Sequence, residues 1–189
     1  MTQEIEIEFK NLLTKQEYLK LLNHLPFPKD GQKQINHYFE TIDFKLREQN
    51  SALRIREKNG TYQLTLKEPH QDGLLETHDD LTQMEAMQWM NGNPIAKLST
   101  SKRLLELGIR VEELKPFGNL TTIRREYKED GIIFVLDQSF YHNQEDYELE
   151  IEANNHNSGL QAINKVLNDW NITKKDTPNK IARFFMSLP

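Results

Sequence analysis

Acidic and basic residues recur in this chain at intervals of two. Glu4, Glu6, Glu8 and Lys10 share one parity near the N-terminus, and Glu148, Glu150 and Glu152 do the same towards the C-terminus. Arg54 with Arg56, Thr65 with Lys67, and Thr122, Arg124, Glu126 and Lys128 form further rows. In an extended strand residues two apart share a face, so each row is one face of one strand. The opposite parity carries Ile5, Ile7, Phe9, Leu53, Ile55, Leu64, Leu66, Leu149 and Ile151. A sheet with its polar face in water accounts for any single row. Stacked glutamates repel, however, and a metal ion or a line of cations removes the penalty. Carboxylate oxygens are the ligands Mg²⁺ and Mn²⁺ favour, while arginine and lysine bind phosphate oxygens through charge-assisted hydrogen bonds. A phosphate chain needs bases along its length and a metal across its oxygens, and the rows offer both.

The elements that would position these rows are legible from periodicity. Glu4 to Lys10 alternates as a strand. Thr14 and Glu17 form a capping box before a helix that Pro26 and Pro28 end. A second strand is expected from Lys33 to Ile42. Ala52–Glu57 and Thr61–Lys67 make a hairpin across Asn59-Gly60, and a fifth strand runs from Gly73 to Leu81. The stretch from Thr82 to Lys115 reads as helical, with Met84, Met87 and Trp89 facing a core. Three more strands follow, Phe117 to Lys128, Ile132 to Asp137 and Tyr147 to Ala153, with Asp130-Gly131 as the turn between the first two. A helical stripe covers Gly159 to Asp169, and Pro178 suits the start of a last helix ending near Phe185. With no linker or repeat, the expectation is one domain, residues 1–189, of the α+β class and mainly β. Charged rows facing inward and apolar faces turned out against helices would make a closed eight-stranded antiparallel barrel with a polar interior.

The 189 residues carry a net charge of -5 and no cysteine. A disulfide framework and a thiolate metal site are thereby excluded, and the charge argues against nucleic acid and anionic membrane as partners. The N-terminus lacks the regions of a signal peptide and no apolar run matches a membrane span, so a cytoplasmic protein is expected.

In this setting the chain resembles the CYTH family, also called triphosphate tunnel metalloenzymes. Glu6, Glu8 and Lys10 match its Glu-x-Glu-x-Lys motif. Leu53-Arg54-Ile55-Arg56, Thr65-Leu66-Lys67, Thr122-Ile123-Arg124, Leu136-Asp137, Glu150-Ile151-Glu152-Ala153 and Thr177-Pro178-Asn179-Lys180 resemble the remaining motifs in order. The resemblance implies an eight-stranded tunnel that processes triphosphates with Mg²⁺ or Mn²⁺. It implies Glu6, Glu8, Asp137, Glu150 and Glu152 as metal ligands, directly or through water. Glu6, Glu8, Glu150 and Glu152 would be the catalytic carboxylates. Lys10, Arg54, Arg56, Lys67, Arg124 and Lys180 would hold the phosphates. Two choices stay open: Glu148 with Glu150 could replace Glu150 with Glu152, and Arg125 competes with Arg124, although parity with Thr122 and Lys128 favours Arg124.

The six histidines show no metal-ligand spacing, and no serine sits in a nucleophile-elbow context. Trp89, Trp170, Phe184 and Phe185 read as core or helix-packing residues. Hydrolysis of inorganic triphosphate or a small organic triphosphate such as thiamine triphosphate is the leading expectation. A class IV-type adenylate cyclase, forming cyclic AMP and pyrophosphate, and a non-catalytic polyphosphate or nucleotide sensor are the alternatives. The expected partner is the small-molecule triphosphate, with the chain a monomer or homodimer.

Overall fold

The computed structural model describes residues 3–188. Its eight strands are β1 (Gln3–Leu13), β2 (Gln32–Thr41), β3 (Ala52–Lys58), β4 (Thr61–His70), β5 (Gly73–Leu81), β6 (Leu114–Glu129), β7 (Ile132–Tyr141) and β8 (Gln144–Ala153). They hydrogen-bond as a closed antiparallel barrel in the order β1-β5-β4-β3-β2-β6-β7-β8. The α-helices are α1 (Lys15–His24), α2 (Lys45–Glu48), α3 (Gln83–Met90), α4 (Leu98–Glu106), α5 (His156–Asp169) and α6 (Lys180–Met186).

The turns obey the sequence. Asn59 and Gly60 have φ of 51° and 76°, and Asp130 and Gly131 have 50° and 79°, the paired positive values that twist-matched hairpin turns require. The capping box at Thr14 is formed, with Thr14 Oγ1 accepting from Glu17 N at 3.2 Å and Thr14 N donating to Glu17 Oε2 at 2.6 Å. Several boundaries differ from expectation. β7 runs on to Tyr141 and β8 starts at Gln144, because His142 and Asn143 themselves adopt positive φ, 43° and 59°, and close a tight hairpin without glycine. The expected helical stretch is two separate helices, α3 and α4. Met84 and Met87 lie on the exposed side of α3, whereas Trp89 is fully buried. The last helix starts after Asn179, whose Oδ1 accepts from Ala182 N at 2.8 Å. Pro178 thus precedes the cap and is not the first helical residue.

The chain forms two compact units, residues 3–5 with 34–120, and residues 6–33 with 121–188. In the first, Leu53, Ile55, Leu64 and Leu66 are fully buried against Ala86 and Trp89 of α3 and Leu104 of α4. Burying each such side chain contributes about 1.5–3 kcal/mol. Two acidic residues fasten α4 here. Asp79 accepts from Ser99 N at 3.1 Å and Thr100 N at 2.7 Å, capping α4 from β5. Glu68 on β4 takes a fork of hydrogen bonds from Arg103 at 3.0 and 2.7 Å.

In the second unit, Leu149 and Ile151 of β8, with Phe134 and Leu136 of β7, pack on Ile163, Val166 and Leu167 of α5 and on Tyr18 and Leu21 of α1. The amphipathic stripe of α5 supplies its half of this cluster. In both units, the apolar parity read from sequence faces helices. Ile5 departs from it and is half exposed.

Candidate active site

In the second unit, strand alternation turns Glu6, Glu8 and Lys10 to the same face as Glu148, Glu150 and Glu152. The β1–β8 register sets Glu8 directly opposite Glu152 and Lys10 opposite Glu150. On the other side of β8, Glu148 pairs with Asp137 of β7, and Asp137 pairs with Arg124 of β6. Arg124 Nε and Nη2 donate to the two oxygens of Asp137 at 3.0 and 2.7 Å, and Nη2 also reaches Glu150 Oε2 at 2.6 Å. Lys180, the first residue of α6, lies with its ammonium 2.9 Å from Asp137 Oδ2, 2.8 Å from Glu148 Oε2 and 2.5 Å from Glu150 Oε1.

The electrostatics follow from this geometry. Burial works against the charge on Arg124, but Asp137, Glu150 and Glu152 outweigh it and hold the guanidinium well above its ordinary value. Burial likewise opposes the Lys180 charge, and Asp137, Glu148 and Glu150 overcome it, raising the ammonium well above its usual range. Glu150 is held well below the ordinary carboxylate range: burial is offset by Lys180, Arg124 and Lys10. Arg124, Lys180 and Glu150 are therefore held in their charged forms.

These carboxylates differ in their surroundings. Both oxygens of Asp137, which is fully buried, are engaged by cations. Glu148 is fully buried and takes Arg183 Nη2 at 2.7 Å as well as Lys180. Glu8 and Glu152 are only partly buried, with Glu8 paired to Lys10 and Glu152 3.8 Å from Arg124 Nη1. Like charges directly opposite in a sheet are unfavourable, and a divalent cation held by carboxylate oxygens relieves the repulsion. Glu8 and Glu152, paired in register, offer carboxylate oxygens of the kind a divalent cation takes.

In the first unit, Arg54 and Arg56 of β3 share a face with Thr65 and Lys67 of β4 and with Asn36 and Tyr38 of β2, since register partners lie on one face. Lys67 pairs in register with Glu76 of β5 and forms an ion pair with it. Arg56 Nε donates to Asn36 Oδ1 at 3.4 Å. Asn36 Nδ2 and Arg54 Nε are buried donors without a hydrogen-bond acceptor, which suits them to an oxygen-rich anion.

Arg124, not Arg125, shares the carboxylate face. Arg125 donates to Lys29 O at 3.1 Å and to Tyr18 Oη at 2.6 Å. Two participants escaped sequence reasoning. Asn36 belongs to the even row Gln34, Asn36, Tyr38 and Glu40, four buried residues whose parity was readable on β2. Arg183 carries no local signal, because it reaches Asp146 and Glu148 only through the packing of α6.

Comparison with known proteins accords with this geometry. A model of the CYTH domain matches residues 4–185. YjbK of Bacillus subtilis (strain 168), a proposed triphosphatase, is 45% identical over 186 residues, covering 98% of this chain and 96% of that protein. The crystal structure of a proposed adenylate cyclase from Bacillus halodurans is 40% identical with a TM-score of 0.94, covering 98% of this chain and 100% of that one. HpAC1 from Hippeastrum, a proposed adenylyl cyclase described as having a dominant triphosphatase activity, shares the fold, with a TM-score of 0.78, 24% identity and 96% coverage of each chain. Among the described residues no helix is long and apolar enough to cross a membrane. With its ordered motifs, its closed eight-stranded barrel and a family match along nearly its whole length, the chain belongs to the CYTH domain family.

Proposed function

We propose that this protein hydrolyses a small triphosphate with the help of Mg²⁺ or Mn²⁺. The observation that carries the reading is the placing of Glu8 directly opposite Glu152 on the face that also bears Lys10 and Arg124 and that Lys180 of α6 reaches. Carboxylates so arranged are suited to a divalent cation, and the neighbouring bases to the phosphates it binds. The bound ion supplies charge neutralisation for the phosphoryl oxygens.

In this reading Glu6, Glu8 and Glu152 are the metal ligands, and Glu150 and Asp137 complete the acidic site by orienting Arg124 and Lys180. Lys10, Arg124 and Lys180 of the second unit are suited to phosphate oxygens, as are Arg54, Arg56 and Lys67 within the first, and Glu150 or Glu152 positions water for attack on the terminal phosphorus. The family match runs through both compact units, and we take residues 1–189 as one functional domain.

A second reading is adenylate cyclisation, favoured by the name of the Bacillus halodurans relative at 40% identity. Product analysis separates the two, using inorganic triphosphate, ATP, GTP and thiamine triphosphate with Mg²⁺ and with Mn²⁺. Phosphate release from one of them, lost on chelation, is the expected result. Cyclic AMP and pyrophosphate from ATP would replace it with the cyclase. Binding without any product would overturn both.

A further inference from the structure

A cluster in the first unit has a different chemistry from the carboxylate rows. Glu4 of β1 and Glu76 and His78 of β5 each present one ligand atom within 4.8 Å of the others. His78 Nε2 lies 3.2 Å from Glu4 Oε1 and 3.3 Å from Glu76 Oε2. Around a tetrahedral Zn²⁺ with bonds of about 2.0–2.1 Å, ligand atoms stand roughly 3.3–3.4 Å apart. The two distances are those of neighbouring corners.

The other ring nitrogen fixes the orientation. His78 Nδ1 is 3.0 Å from Thr65 Oγ1, and Thr65 is almost completely buried as the register partner of His78. The tautomer that donates Nδ1–H to that hydroxyl turns the Nε2 lone pair towards two carboxylates, where a cation would sit between them. Glu76 keeps this role while paired with Lys67, because the ion pair uses Oε1 and the oxygen near His78 is Oε2. The strand segment bearing Glu4 is tied down by its neighbour, Gln3 Nε2 donating to Thr77 Oγ1 at 3.0 Å. Glu4 itself is exposed, with 69% of its side-chain surface open, so the cluster is reachable from solvent and leaves a corner for water.

We propose that Glu4, Glu76 and His78 form a metal site of their own, selective for a borderline divalent transition ion such as Zn²⁺. One imidazole nitrogen with two carboxylates suits Zn²⁺ or Co²⁺, whereas Mg²⁺ prefers all-oxygen octahedral surroundings. The proposal does not depend on the hydrolytic reading, since neither the acidic row of β8 nor any substrate takes part.

The test is a Zn²⁺ titration of the full chain in excess Mg²⁺, which occupies all-oxygen sites, followed through the ¹⁵N resonances of the six histidine rings. The expected result is a shift confined to His78 Nε2 as one equivalent binds. In calorimetry under the same conditions His78→Gln should abolish that event, and Thr65→Val should weaken it by about 10–100-fold. Glu4→Gln, a change at an exposed position, provides the same comparison should His78→Gln misfold, with weakening of at least about 10-fold expected. An unshifted His78, a shift at another histidine instead, or unaltered affinity in Glu4→Gln would overturn the site.

Discussion

Arg124 and Asp137 are cross-strand partners joined by two hydrogen bonds, of 3.0 and 2.7 Å, and the same guanidinium extends to Glu150 at 2.6 Å. One cation thus compensates two buried carboxylates. Replacing Arg124 by Met should leave those carboxylates short of a counter-ion and cost about 3–5 kcal/mol. Chemical denaturation of the two proteins measures the difference. A loss below about 1 kcal/mol would mean that Lys180 alone suffices.

Glu8 and Glu152 should behave in the opposite way. Either one changed to Gln removes a charge from a like-charged pair, so stability should stay within about 0.5 kcal/mol. Metal-dependent turnover should nevertheless fall by about 100-fold or more, since the ion contributes several kcal/mol to charge neutralisation in the transition state. Thermal melting and a phosphate-release assay on the same preparations read the two effects.

Glu85 reports the capping of α3. Its carboxylate is pulled down from 4.5 to about 2, first by the backbone hydrogen bond at Thr82 and then by the side-chain bond from Lys97. A depressed carboxyl contributes stability that is complete above its unfolded value and is lost as pH falls through the folded one. The α3 cap should therefore hold at pH 5 and weaken from about 4.5 towards 2. NMR titration of the Glu85 side-chain carbonyl carbon should show a midpoint near 2 in the native protein, and near 4 if the cap is not formed in solution.

Gly159 leaves no room for a side chain between α5 and strands β1 and β8. A Cβ there would stand 2.5 Å from Phe9 Cε2 and 3.0 Å from Ala153 Cβ. Gly159→Ala should cost about 1–3 kcal/mol through overpacking, despite the better helix propensity of alanine. Phe9→Leu in the same chain should recover part of the loss if the ring is the obstacle, as equilibrium unfolding of the double variant would reveal.

The strands, their parity and their tight turns were legible because each depends on neighbours in sequence. Alternation at Glu6-Ile7-Glu8 states which face is polar, and Asn59-Gly60 and Asp130-Gly131 supply positive φ without help from the rest of the fold. Parity with Thr122 and Lys128 likewise favoured Arg124 over Arg125, and it is Arg124 that meets Asp137 and Glu150 while Arg125 turns to Tyr18. The β7–β8 turn was hidden because His142 and Asn143 take left-handed conformations for which the hairpin, not their composition, is responsible. Met84 and Met87 were misplaced because a short helix has too few turns to fix which apolar side faces inward, and packing on Trp89 decided it.

What the sequence by itself determined is thus the inventory of charged faces and the family motif order. Tertiary structure alone decided which charges meet. The α4 cap comes from Asp79, 20 residues away from Ser99, and Lys180 and Arg183 reach β7 and β8 because α6 packs where it does. Only strand register brings Glu8 opposite Glu152, and only the β4–β5 register sets Thr65 behind His78. The reason is physical: spacing along a chain fixes direction within one element, whereas the distance between two elements is settled by the burial of their apolar sides.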